Sequence, residues 1–136
     1  MSAQPHYPQP YEDADNAPFL AAWRKGVLAL QRCKGCGKAI YYPRPMCPHC
    51  WSADLEWFQA SGKGTVVGYG VVWRPNHESF QPEVPVVLVE VELAEGPLML
   101  TRVVGDDREK TRSGAAVRLV AMPDAARYPL PTFRLA

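Results

Sequence analysis

Cys33-Lys34-Gly35-Cys36, followed ten residues later by Cys47-Pro48-His49-Cys50, is the stretch that decides the fold of this chain. Each Cys-x2-Cys pair turns the backbone so that two sulfurs face one point. Two such pairs joined by a short hairpin supply four thiolates in the tetrahedron that zinc prefers. Gly35 and Gly37 suit a turn that aims backbone N–H groups at sulfur, and Pro45 and Pro48 stiffen the second turn. Two disulfides would require an oxidising compartment, and no basic, apolar leader is visible at Met1 to Pro10. A thioredoxin-like redox pair would be a single Cys-x-x-Cys opening a helix after a strand. Four thiolates also suit iron, and spacing does not separate the two metals. The expected cofactor is zinc, with iron open, held by Cys33, Cys36, Cys47 and Cys50. A closed four-thiolate shell has no free coordination position, so this metal folds a module and performs no hydrolysis.

Outward from the cysteines, charge is unevenly spread. The 136 residues carry a net +1, but residues 16–53 hold Arg24, Lys25, Arg32, Lys34, Lys38 and Arg44 and no acid. Residues 1–15 carry three acids and no base. A zinc held by four thiolates has a charge of −2, so about four cations of the basic stretch are left to attract an anion such as phosphate. Hydrophobic residues make up 47% of the chain, enough for a packed core. The longest charge-free apolar run, Gly64 to Trp73, is ten residues, far short of the ~20 that a membrane helix needs.

Toward the N-terminus, residues 1–15 read as a flexible, proline-rich arm. A short helix follows, with Asn16 at its N-cap, Pro18 in the first turn, Phe19, Leu20, Trp23 and Val27 on one face, and Gly26 as the stop. Val27 to Arg32 and Ala39 to Tyr42 read as the strands of the ribbon. Beyond Cys50 the chain becomes short strands and turns: Leu55–Gln59, Gly64–Trp73, Val84–Leu93, Leu98–Val104, Val117–Met122 and Leu130–Leu135. Gly68 and Gly70, two apart on one strand, suit sharp coiling or the close approach of another backbone. The expected architecture is mainly β: a helix plus zinc ribbon over 16–60, then a small closed barrel of the OB type over 61–136.

Several landmarks together resemble a known family, the OB-fold proteins with an N-terminal rubredoxin-like zinc ribbon, long catalogued as a domain of unknown function. They are Phe19-Leu20…Trp23…Gly26, Leu30-Gln31-Arg32-Cys33 through Gly37, Tyr42-Pro43-Arg44-Pro45-Met46-Cys47 through Cys50, Trp57, Ser61-Gly62-Lys63-Gly64-Thr65-Val66 and Leu130-Pro131-Thr132-Phe133-Arg134. The resemblance implies a non-catalytic accessory subunit in lipid metabolism that sits beside a thiolase-like or hydratase-like acyl-CoA enzyme. Such a subunit bridges its partners or helps to bind acyl-CoA. The chain departs from the family in the arm 1–15, in Glu78-Ser79-Phe80 and in the loop 105–114.

Binding CoA needs cations for the phosphates and a narrow apolar groove for the acyl arm. Candidate contacts for ligand or partner are Arg24, Lys34, Arg44, Trp73, Arg74 and Phe80. The alternative is a single-stranded nucleic-acid binder, since OB barrels serve that role. Against it, residues 54–136 are net −2, and Glu90 and Glu92 share the outward face of one strand. Catalysis by the chain alone is not expected. His6, His49 and His77 are the only histidines, and no nucleophile–base order is apparent. The sequence points to a cytoplasmic protein without membrane association. A homo-oligomer stays open.

Overall fold

A computed structural model describes residues 7–136. Helix α1 (Ala17–Trp23) forms where expected: proline occupies its first turn, and Phe19, Leu20 and Trp23 are buried. Asn16 sits at the N-cap position, but its side chain makes no capping bond. Its Oδ1 instead accepts the Asp13 N–H, and its Nδ2 donates to the Tyr11 carbonyl and the Tyr42 hydroxyl. The asparagine therefore ties the preceding segment to the ribbon. Residues 1–6 of the expected flexible arm lie outside the described residues. Within the described part, Tyr7 is only 5% exposed and docks on the barrel.

Strands β1 (Ala29–Cys33), β2 (Ala39–Ile40) and β3 (Leu55–Gln59) form a three-stranded antiparallel sheet in the order β2-β1-β3. Central β1 is buried at four of its five positions, so it presents no wet face. A central strand has no free edge, and α1 packs against it.

Strands β4 (Lys63–Val72), β5 (Val86–Leu93), β6 (Leu98–Val104), β7 (Ala116–Leu119) and β8 (Phe133–Leu135) close into a five-stranded OB-like barrel in the order β4-β5-β6-β8-β7. All pairings are antiparallel except β6 with β8. The alternation of β5 works as read: Val87, Val89, Val91 and Leu93 enter the core, beside Val66, Met99, Val103 and Phe133. Leu28 and Leu30 of the ribbon join the same cluster, so one core runs through both modules.

The expected roles of the glycines in β4 are redistributed. A bulge between Val66 and Gly68 bends the strand, and a side chain built on Gly68 or Gly70 would meet nothing within 4 Å. The close approach falls at Gly64, where an added Cβ would collide with Val91 Cγ1 and lie 3.0 Å from the Glu92 carbonyl oxygen. Short 3-10 turns at Glu78–Glu83, Arg108–Lys110 and Asp124–Arg127 lie between the strands. Among the described residues no helix is long and apolar enough to cross a membrane.

Candidate functional site

The first site is the cysteine cluster. All four sulfurs lie within 4.8 Å of one another, with Cys33–Cys50 at 3.4 Å and Cys36–Cys47 at 3.7 Å. A tetrahedron with Zn–S bonds of ~2.3 Å has edges of about 3.8 Å, so the donors fit zinc as they stand. The two turns repeat one geometry. Gly37 N–H donates to the Cys33 carbonyl at 2.7 Å, and Trp51 N–H donates to the Cys47 carbonyl at 2.9 Å. Both residues are left-handed, at φ +79° and +67°. Glycine takes that conformation freely, whereas Trp51 takes it at a cost.

Backbone N–H groups also reach sulfur, Cys36 to Cys33 at 3.4 Å and His49 to Cys47 at 3.3 Å. The Cys36 N–H draws the Cys33 thiol down to about 6. Cys50 is pulled down by the Ser52 backbone, yet the neighbouring sulfurs, Cys33 first, and burial push it up to about 12. Four thiolates this close repel one another, and a divalent cation at their centre halves that charge and screens the repulsion. The ribbon is a zinc-binding module.

The second site is an apolar groove of about 970 Å³ on the outer face of the barrel. Its floor follows from strand register. Gly68 pairs with Glu90 and Glu90 with Leu100, while Gly70 pairs with Leu88 and Leu88 with Arg102. Directly paired residues share a face, so two glycines on β4 leave open space in front of Leu88 and Leu100.

At one end, the Arg102 guanidinium lies 5.1 Å from the Tyr7 ring, 5.3 Å from Phe80 and 5.0 Å from Tyr128. It donates to Glu83 at 3.1 Å, and Glu83 accepts the Tyr7 hydroxyl at 2.6 Å. The ion pair is largely shielded, with side-chain exposures of 13% and 23%. Burial, and then the Glu83 carboxylate, raise the Tyr7 phenol above its ordinary pKa.

Of the residues singled out from the sequence, Arg74 and Phe80 line this groove. Trp73, beside Arg74, is 61% exposed and is not among the lining residues. The three ribbon-side cations take separate partners. Arg24 pairs with Glu12 at 3.0 Å, Lys34 approaches Asp54 at 4.0 Å, and Arg44 donates to the Tyr42 carbonyl. His77 uses its Nδ1 to accept the Ser79 N–H, which caps the 3-10 turn beginning at Glu78. His6 lies outside the described residues.

Sequence reasoning did not single out Tyr7, Glu83, Arg102 or Tyr128. The one available signal was Thr101-Arg102 inside the otherwise apolar strand Leu98–Val104, where a charge implies a buried partner or a ligand.

Comparison with known proteins agrees with this architecture. Residues 20–56 match the ChsH2 rubredoxin-like zinc ribbon domain, and residues 57–121 match the ChsH2 C-terminal OB-fold domain. A probable enoyl-CoA hydratase alpha subunit from Thermomonospora curvata is 37% identical over 127 residues, covering 93% of this chain and 39% of that subunit. A DUF35 domain-containing scaffold protein from Pyrococcus furiosus is 36% identical over 84 residues, 62% of this chain and 61% of the relative. A scaffold protein of the same description from Methanocaldococcus jannaschii is 33% identical over 106 residues, 74% of each chain. This chain thus spans less than half of the hydratase subunit.

Among solved structures, a chain of the Ltp2-ChsH2(DUF35) aldolase is similar at a TM-score of 0.77 and 37% identity, covering 93% of this chain and 98% of that one. A DUF35 protein from Sulfolobus solfataricus, of unknown function, shares the fold at a TM-score of 0.65 and 15% identity, covering 90% of this chain and 86% of that one. Contiguous matches to both modules, and scaffold relatives that align over most of their own length, lead to one assignment: the chain belongs to the DUF35 family, a rubredoxin-like zinc ribbon joined to a C-terminal OB-fold domain.

Proposed function

We propose that this chain is a non-catalytic accessory subunit of an acyl-CoA enzyme complex, with a thiolase-like or hydratase-like partner, and that its barrel binds the acyl-CoA arm. The observation that carries the reading is the groove. Its volume of about 970 Å³ suits a ligand with a long apolar arm, and its floor is open because Gly68 and Gly70 carry no side chains. Its polar side chains include Thr101, Thr132, Asn76, Glu90, Arg74 and the engaged Arg102. Thr101 already donates to the Pro131 carbonyl at 2.7 Å, and Arg102 is held by Glu83. Such a site holds and orients an acyl arm, while the reacting groups come from the partner.

Names carried by the relatives favour the same reading, since they include scaffold proteins, a hydratase subunit and a chain of an aldolase complex. Cys33, Cys36, Cys47 and Cys50 hold a structural zinc that keeps the ribbon folded against the barrel. Of the earlier candidate contacts, Arg74 and Phe80 act at the groove, and Trp73 lies on an exposed surface available to the partner. Single-stranded nucleic acid suits this surface poorly, because Glu90 lies on the outer barrel face and lines the groove.

The test is isolation of the tagged chain from its own cells, followed by assay of any thiolase-like or hydratase-like enzyme with and without it. The proposal expects a specific partner, loss of that partner's activity or stability on removal of this chain, and no turnover by this chain alone. Acyl-CoA turnover by the isolated polypeptide overturns it.

A further inference from the structure

A second cavity, of about 620 Å³, lies between the ribbon and the turn joining β5 to β6. Its lining includes Arg32, Lys38, Arg44 and His49, with Glu95 as the only acid among the described residues. Among the described residues, Arg32, Lys38 and Arg44 have no carboxylate within ion-pair distance, whereas Arg24, Lys34 and Arg102 do.

The two arginines are held in place by groups that leave guanidinium N–H donors over. Arg32 stacks on the Phe58 ring at 4.4 Å and gives one N–H to the Gly37 carbonyl. Arg44 is fixed through its backbone. Buried Gln31 accepts the Arg44 N–H at 3.0 Å and donates to its carbonyl at 3.1 Å, while Arg44 Nε donates to the Tyr42 carbonyl. Guanidiniums fixed in this way bind a phosphate at less entropic cost than freely moving side chains. Glu95 accepts the Ser61 N–H with one oxygen, and its second, buried oxygen has no donor among the described residues. That wall accepts a donor from the ligand and repels a bare anion, so the phosphate seats on the arginine side.

Tyr41 lines this cavity and the apolar groove alike, so the two meet at one side chain. We infer that the cavity between ribbon and barrel binds the phosphate head of a bipartite small-molecule ligand whose apolar arm lies in the groove. The inference rests on the acyl-CoA reading for the identity of the arm, and the cavity adds the site of the head. Arg32 and Arg44 carry the charge–charge contacts, Lys38 adds a third cation, and Tyr41 is the partition between head and arm.

The test compares acyl-CoA with the matching acyl-pantetheine, which keeps the arm and lacks every phosphate, by calorimetry on the zinc-loaded full chain. The inference expects acyl-CoA to bind about tenfold or more tightly than acyl-pantetheine, with a steep loss of that advantage in salt. Lys38→Gln with Arg44→Gln should abolish the advantage and leave acyl-pantetheine binding unchanged. Both positions are exposed, and the Gln31 clamp uses only the Arg44 backbone, so the fold should survive; circular dichroism and zinc content check this. Lys38→Glu alone provides a second variant, expected to weaken acyl-CoA binding selectively.

Titration with pyrophosphate, followed by amide shifts at Arg32, Lys38, Arg44 and Gly96, tests the anion site without an acyl arm. Shifts there support the site even if acyl-CoA fails to bind, an outcome that would count against the acyl-CoA reading alone. Equal affinity for acyl-CoA and acyl-pantetheine overturns the inference and leaves the accessory reading standing. Absence of pyrophosphate shifts at these residues also overturns it.

Discussion

Replacing Arg102 by Met keeps most of the side chain's volume and removes its charge. The variant loses a 3.1 Å charge-assisted bond to Glu83 and the contacts with the rings of Tyr7, Phe80 and Tyr128. A hydrogen bond to a charged group contributes ~1.5–3 kcal/mol, and a cation–π contact contributes ~0.5–1 kcal/mol even at an exposed site. Met retains part of the ring packing, so the expected loss is about 3 kcal/mol. In a chain of this size that lowers Tm by roughly 10 °C.

Urea denaturation at fixed zinc, read by circular dichroism, gives the free energy. The double variant Arg102→Met with Glu83→Gln completes a cycle, which should return a coupling of about 1.5–3 kcal/mol. A loss below ~0.5 kcal/mol, or a coupling near zero, would place the pair with ordinary solvated surface salt bridges and refute the argument.

Four further outcomes follow from particular contacts. Gly64→Ala drives a Cβ against Val91 and the Glu92 carbonyl, and should cost about 2–3 kcal/mol by chemical denaturation; an unchanged midpoint would show that β4 and β5 yield there. Trp51→Gly relieves a left-handed backbone at a side chain 73% exposed, and should stabilise the zinc-loaded protein by about 0.5–1 kcal/mol or leave it unchanged; a clear loss of stability would show the indole to be needed. Burial, and then the neighbouring Tyr42, push Tyr41 up to about 12. The unfolded chain therefore releases that proton first, and stability falls as pH rises from about 10 to 12, by up to ~3 kcal/mol. Tyr41→Phe should flatten the thermal-stability profile in that window, and superimposed profiles would contradict the assignment. Cys47→Ser removes one of four zinc donors and should abolish stoichiometric zinc binding, measured by elemental analysis, with early melting of the ribbon; full zinc retention would move the ligand set elsewhere.

The ribbon was legible because its information is local. Four cysteines within eighteen residues, flanked by glycine and proline, fix their own geometry whatever packs around them. Strand β5 was legible for a similar reason, since alternation of valine with glutamate identifies a strand and its wet face together.

The groove was not legible, because its polar end joins Tyr7, Glu83, Arg102 and Tyr128, and the Tyr7–Glu83 bond alone spans 76 positions. Alternation along β4 showed which residues share a face, but it could not show where the barrel ends. Pairing of β4 with β7 stops at Thr65, so Val67, Tyr69 and Val71 stand 42–48% exposed on a strand that reads as core. The parallel β6–β8 contact rests on Val103–Phe133 and Val104–Arg134, two register pairs that no short-range pattern encodes.

Native mass spectrometry of the complex isolated from its own cells tests the central claim most directly. The account predicts this polypeptide with one bound zinc, joined to a thiolase-like or hydratase-like enzyme and retaining acyl-CoA under gentle conditions. A folded, metal-free polypeptide that travels alone and turns over acyl-CoA unaided would contradict it.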